Sequence, residues 1–194
     1  MENNILLYHG SCHAGITELK PFISNHGKAM VYLTTDIVVA TIYTVRPVDR
    51  FLAEQGLPVP QGCYQFYPYG FDKDTGTVVL DEYYPHAFEE TYCNCRGYVY
   101  LCENNQNYNN PTNIKCALST EESVKVIDVI EIADVGTQLL AYKEQGKLLI
   151  NFYDTMPHAR RERLERMMQQ EINNTTDDHN GALTFFKAKF SHLL

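Results

Sequence analysis

The 194-residue chain contains no tryptophan, so its flat aromatic surface comes from 14 Tyr and 9 Phe. A tyrosine pairs an apolar face with a hydroxyl that can hydrogen-bond, which suits it to half-buried strands and to stacking on planar ligands. Positive charge is scarce. The 16 Lys and Arg stand against 24 Asp and Glu, for a net charge of -8. Generic coating of nucleic acid needs a basic surface, so that class is disfavoured. No apolar run approaches the roughly 18 residues of a membrane span. The N-terminal Met-Glu-Asn-Asn-Ile-Leu-Leu-Tyr lacks a basic segment followed by a sustained apolar one, so no signal peptide is read and a cytoplasmic location is expected. Six cysteines (12, 63, 93, 95, 102 and 116) are then expected to be reduced. Cys93, Cys95 and Cys102 near His86 lack the paired short hooks of a zinc site, and the run from Asp72 to Gly76 lacks the later ligands of a calcium loop, so no metal is expected. There is no Gly-x-Gly-x-x-Gly run, no phosphate-loop lysine and no nucleophile elbow.

Apolar residues make up 44% and charged residues 21%, the composition of an ordinary globular domain. Ile5-Leu6-Leu7-Tyr8 runs into His9-Gly10-Ser11 and reads as a strand ending in a turn. Ala29 to Thr34 reads as a strand, with Thr35 and Asp36 as caps for a helix over Ile37 to Thr44 that ends at or before Pro47. Residues 47–76 hold half of the prolines and read as irregular with short strands. Strands are expected over 77–83, 97–103, 115–119 and 123–132, with a short helix from Pro85. The Asn-rich stretch 104–113 reads as a surface loop. The last third reads as helical. Asp134 caps one helix that stops at Gly146, and Leu164, Met168 and Ile172 line another that starts near Pro157. The segment 185–190 is a final strand or helix.

Three segments carry the chemistry. They are Tyr8-His9-Gly10-Ser11, the strand with Tyr32 and Thr34 followed by a helix with Ala40 and Tyr43, and Glu121-Glu122 leading into the strand from Ser123 to Asp128. Tyr32 and Tyr43 are eleven residues apart. At these residues the chain resembles the ADP-ribosyltransferases of the diphtheria-toxin and poly(ADP-ribose) polymerase type, which carry a His, a Tyr and usually a Glu on three strands. The resemblance implies an α+β fold with a split, bent pair of sheets, helices around it and a helical C-terminal addition. It would be one domain over 1–194, with the NAD-cleft core at about 1–132 and the helical part at about 133–194.

The resemblance also implies NAD as substrate and an activity, mono-ADP-ribosyl transfer to a protein or nucleic-acid acceptor. The catalytic residues implied are His9, Tyr32 and Glu122, with Glu121 as the alternative acid. The NAD contacts implied are His9, Gly10, Ser11, Tyr32, Thr34 and Tyr43. The chemistry suits these types. Cleaving the nicotinamide–ribose bond builds positive charge on the ribose, which a carboxylate stabilises. The N–H and C=O of one glycine match the carboxamide of nicotinamide, and two phenol rings can sandwich its ring. Three other readings stay open: an NAD glycohydrolase or RNA 2′-phosphotransferase on the same fold, an inactive domain that binds NAD, ADP-ribose or a protein, and an interaction protein of an unrelated α+β fold. Arg160, Arg161, Arg163 and Arg166 are a phosphate-binding stripe or, with Glu162 and Glu165 between them, a mixed solvated face.

Overall fold

The computed structural model describes residues 6–23, 28–104, 108–110 and 114–194. In chain order the elements are β1 (Leu7–Ser11), β2 (Glu18–Leu19), β3 (Phe22–Ile23), β4 (Ala29–Thr34), α1 (Ile37–Ile42), α2 (Pro47–Glu54), β5 (Tyr69–Phe71), β6 (Val78–Asp81) and α3 (Ala87–Tyr92). They continue with β7 (Gly97–Cys102), β8 (Ala117–Thr120), β9 (Val124–Ile132), α4 (Val135–Glu144), β10 (Leu148–Asn151), α5 (His158–Asn174) and α6 (Ala182–Lys189). The protein is therefore α+β. Among the described residues, no helix is long and apolar enough to cross a membrane.

The chain forms two compact units that interleave in sequence. One is residues 1–45 with 94–142; the other is 46–93 with 143–194. Residues 46–93 fall within the expected cleft core of 1–132 but cluster with the second unit.

The first unit is built on a seven-stranded antiparallel sheet in the order β2-β9-β7-β1-β4-β3, with β8 paired to β4. The ends of this order, β2 and β3, are separated only by Lys20 and Pro21. Consecutive Cα atoms are about 3.8 Å apart, so two residues cannot span a flat sheet of this width. The sheet must curl until its outer strands come within reach. The three-residue turn 121–123 makes the same demand, since it joins β8 on β4 to β9 beyond β7. Leu7, Leu19, Val31, Leu33, Tyr100, Cys102 and Val124 form the core within the sheet. The Tyr100 hydroxyl donates to the His13 carbonyl (2.6 Å) and accepts the Ile16 N–H (3.3 Å), which pins the loop after β1.

The second unit has a three-stranded mixed sheet, with β6 between a parallel β10 and an antiparallel β5. Its core gathers Val48 and Leu52 of α2, Met168 and Ile172 of α5, and Phe185, Phe186 and Phe190 at the C-terminal end. The buried Glu82 carboxylate accepts the N–H groups of Phe88 and Tyr153, each at 2.8 Å, and so ties the chain after β6 to the start of α3 and to the chain after β10.

Two local expectations need correction. Residues 47–54, read as irregular, form α2, because Pro47 sits in the first helical turn where its missing N–H costs nothing. Residues 148–151, read as part of a helical third, form β10, because Leu148 and Ile150 alternate inward beside β6. For the segment 185–190, expected as strand or helix, the structure has helix as far as Lys189. Of the expected loop 104–113, residues 105–107 and 111–113 lie outside the described residues. Asn109 within it is held by two backbone hydrogen bonds to Ser119.

Candidate functional site

The site is an opening in the sheet of the first unit, and the alternation of backbone groups along the strands defines it. On β4, Val31 and Leu33 lie opposite Thr120 and Leu118 of β8, and the Thr35 N–H continues that ladder onto the Cys116 carbonyl at 3.0 Å. Ser119 turns its N–H and C=O the other way, to Asn109 (2.7 and 2.9 Å). Successive residues of a strand direct their backbone groups to opposite sides. Odd-numbered β4 residues therefore face β8, and Met30, Tyr32 and Thr34 face the other edge.

On that other edge, Met30 lies opposite Phe22 of β3 and Thr34 opposite Tyr8 of β1. Tyr32 stands between them, and the His9 ring meets its carbonyl, with Nδ1 2.9 Å from the oxygen. Tyr8–Thr34 is the one position at which β1 and β4 are in register, so the two strands part beyond it. On the far side of β1 the pairing is complete: Leu7, His9 and Ser11 lie opposite Cys102, Tyr100 and Tyr98 of β7. The Glu103 N–H bonds to Lys125 of β9, which fixes odd-numbered β7 residues toward β9 and even-numbered ones toward β1. Leu7, His9 and Ser11 thus spend their backbone groups on β7, while Tyr8 and Gly10 aim theirs at β4. Tyr8 has Thr34 opposite. Gly10, two residues on, aims its N–H and C=O into the opening.

The side-chain faces follow from the same registers, because directly opposed residues share a face. Tyr8, Gly10, Phe22, Met30, Tyr32 and Thr34 lie on one face. Helix α1 covers that face at Gly10. A Cβ built there would stand 1.9 Å from the Ala40 carbonyl oxygen and 3.1 Å from the Thr44 nitrogen. Tyr43, the residue before Thr44, is the C-cap of α1 and is 38% exposed. The Tyr32 ring meets the Phe22 ring edge-on, with centroids 5.9 Å apart.

His9 is held neutral. Burial pushes its pKa below the usual 6.5, and the bond to the Tyr32 carbonyl opposes this only in part. A carbonyl only accepts, so in the neutral ring Nδ1 carries the proton and Nε2 keeps its lone pair as an acceptor. Ser11 and Thr34 have turn-building roles. Ser11 Oγ accepts the His13 N–H, and Thr34 Oγ1 accepts the Asp36 N–H, each at 3.1 Å. Asp36 then caps α1 by accepting the Val38 N–H at 2.8 Å.

The structure brings His9, Gly10, Tyr32 and Thr34 to the opening, with the Tyr43 end of α1 against Gly10. Glu121 and Glu122 lie on the turn after β8, just past the Thr120–Val31 pair. The Glu121 carboxylate pairs with Lys28 at 2.5 Å. The Glu122 side chain is exposed, and its N–H bonds to Thr120 Oγ1 at 3.2 Å. In the second unit, Arg160 makes two hydrogen bonds to Asp81 (2.9 and 2.8 Å), and the Arg161 guanidinium lies 4.6 Å from the Tyr153 ring centre. These arginines are engaged within the protein, as a mixed solvated face would be. Sequence reading did not single out Phe22, Lys28 or Tyr100, whose roles depend on which strands pair. No protein-family model matches the chain, and no curated protein matches it.

Proposed function

We propose that the chain is an NAD-dependent mono-ADP-ribosyltransferase with the split-sheet fold of that family. The observation that carries this reading is the Gly10 peptide pair, whose donor and acceptor face the opening between β1 and β4. A primary carboxamide needs one donor and one acceptor side by side, and nicotinamide has that group on a flat ring. Tyr32 and Tyr43 flank the ring, and His9 Nε2 accepts a hydrogen bond from a ribose hydroxyl. The C1′–N bond of NAD breaks, and nicotinamide leaves with the bonding electrons. The acceptor nucleophile forms its bond to C1′ while Glu122 stabilises the developing positive charge and takes the nucleophile's proton. Glu122 is favoured over Glu121 because Lys28 already neutralises Glu121.

The test is incubation of the full chain with NAD labelled in the adenylate portion, with and without a cell lysate, for wild type, His9→Ala and Glu122→Ala. Wild type is expected to transfer label to a macromolecule and release nicotinamide, and both variants to lose at least 100-fold in rate, the scale of a removed charge-stabilising or acid–base group. Nicotinamide release without macromolecular label would instead make the protein a glycohydrolase. Absence of both products, with NAD still bound, would leave a binding domain. Equal rates for all three proteins would remove His9 and Glu122 from the chemistry.

A further inference from the structure

The opening has a second flank. Along one edge of β4, Thr34 faces β1, Tyr32 faces the gap and Met30 faces β3. A ligand hydrogen-bonded to Gly10 and stacked on Tyr32 therefore lies between β1 and the two-residue strand Phe22–Ile23. Phe22 shares the face of Tyr32 and meets its ring edge-on at 5.9 Å, yet is 53% exposed. Ile23 beside it is 75% exposed. A half-exposed phenylalanine contributes little to the core, but its ring fixes the tilt of Tyr32, and an edge-to-face pair is directional. We infer that Phe22 is a positioning residue of the proposed NAD site: it braces the Tyr32 ring and forms the lip past which nicotinamide enters. This rests on the NAD reading above.

The absence of tryptophan makes the inference directly testable, since Phe22→Trp introduces the chain's sole indole fluorophore. NAD titrated into the full-length Phe22→Trp protein is expected to quench its emission saturably, over the concentration range in which calorimetry detects NAD binding to wild type. N-acetyltryptophanamide corrects for absorption by NAD. Phe22→Ala is expected to raise KM for NAD about 3- to 10-fold, the worth of one aromatic contact, with kcat and melting temperature little changed, and Phe22→Tyr to restore KM. If wild type binds NAD while the Trp emission stays constant and Phe22→Ala keeps its KM, the role of Phe22 is overturned and the NAD reading stands. If wild type binds no NAD, both fall.

Discussion

Gly10 serves two neighbours with one missing side chain. On the α1 side there is no room for a methyl group, and on the β4 side its peptide groups face the opening. Gly10→Ala must push α1 off β1, because the obstacle is the Ala40 backbone carbonyl rather than a flexible side chain. Overpacking of this kind costs about 1–3 kcal/mol. The expected result is a melting temperature lower by roughly 2–12 °C, since about 1 kcal/mol shifts a chain of this size by 2–4 °C. An unchanged melting curve would mean that α1 does not rest on this residue.

His9 supplies a pH dependence at the same scale. Its folded-state pKa lies below the unfolded value near 6.5, so the unfolded chain binds the proton more readily. Its contribution is complete above pH 6.5 and is lost as the pH falls from there toward the folded-state pKa. Stability by urea denaturation, and NAD affinity with it, are expected to decline over that acid window, and His9→Gln to flatten the profile. The residue pattern made His9 and Gly10 legible as candidates because Tyr-His-Gly-Ser is a compact local motif. Ser11 and Thr34 belong to the same motifs, and their oxygens accept backbone N–H groups in turns, with the hydroxyl protons left to donate.

Elements whose signals are local were legible in the sequence. Strand β4 spans the expected Ala29–Thr34, and the expected cap Asp36 holds the first turn of α1. Alternation and capping need only neighbouring residues, so these elements follow from sequence. Helix α2 is not legible because the prolines of this window suggest breaks, whereas Pro47 starts a helix. Strand β10 was missed because four residues between two helices carry too little alternation to register. Helix α1 has only six residues, so Asp36→Ala is expected to cost about 1 kcal/mol, as loss of an N-cap does. It should also weaken NAD binding by loosening the Tyr43 end, and calorimetry on the variant checks this. Glu82→Ala strands the buried N–H of Phe88 and the part-buried N–H of Tyr153 and is expected to cost about 2–4 kcal/mol in chemical denaturation. A loss below about 0.5 kcal/mol would show that water replaces the carboxylate readily.

At the scale of the molecule, the features that matter most were not legible in the residue pattern. The curl follows from two short strands, β2 and β3, that occupy opposite ends of the sheet order yet are separated by Lys20 and Pro21 alone. The opening follows from β1 and β4 sharing a single paired position. Both are facts of register between strands distant in sequence, which no local periodicity encodes. The same holds for the interleaving of the two compact units, because a chain that leaves one core at residue 45 and returns at 94 leaves no linker composition behind.

The proposed activity requires the peptide groups of Gly10, which face the β1–β4 opening, to bind the carboxamide of nicotinamide. The chain has 11 glycines, so selective 15N-glycine labelling reduces the amide NMR spectrum to at most that many peaks. Titration with NAD, and separately with nicotinamide, is predicted to move the Gly10 amide peak downfield and saturably, because its N–H gains an acceptor. A Gly10 peak that stays in place while NAD saturates the protein would rule out this role for Gly10.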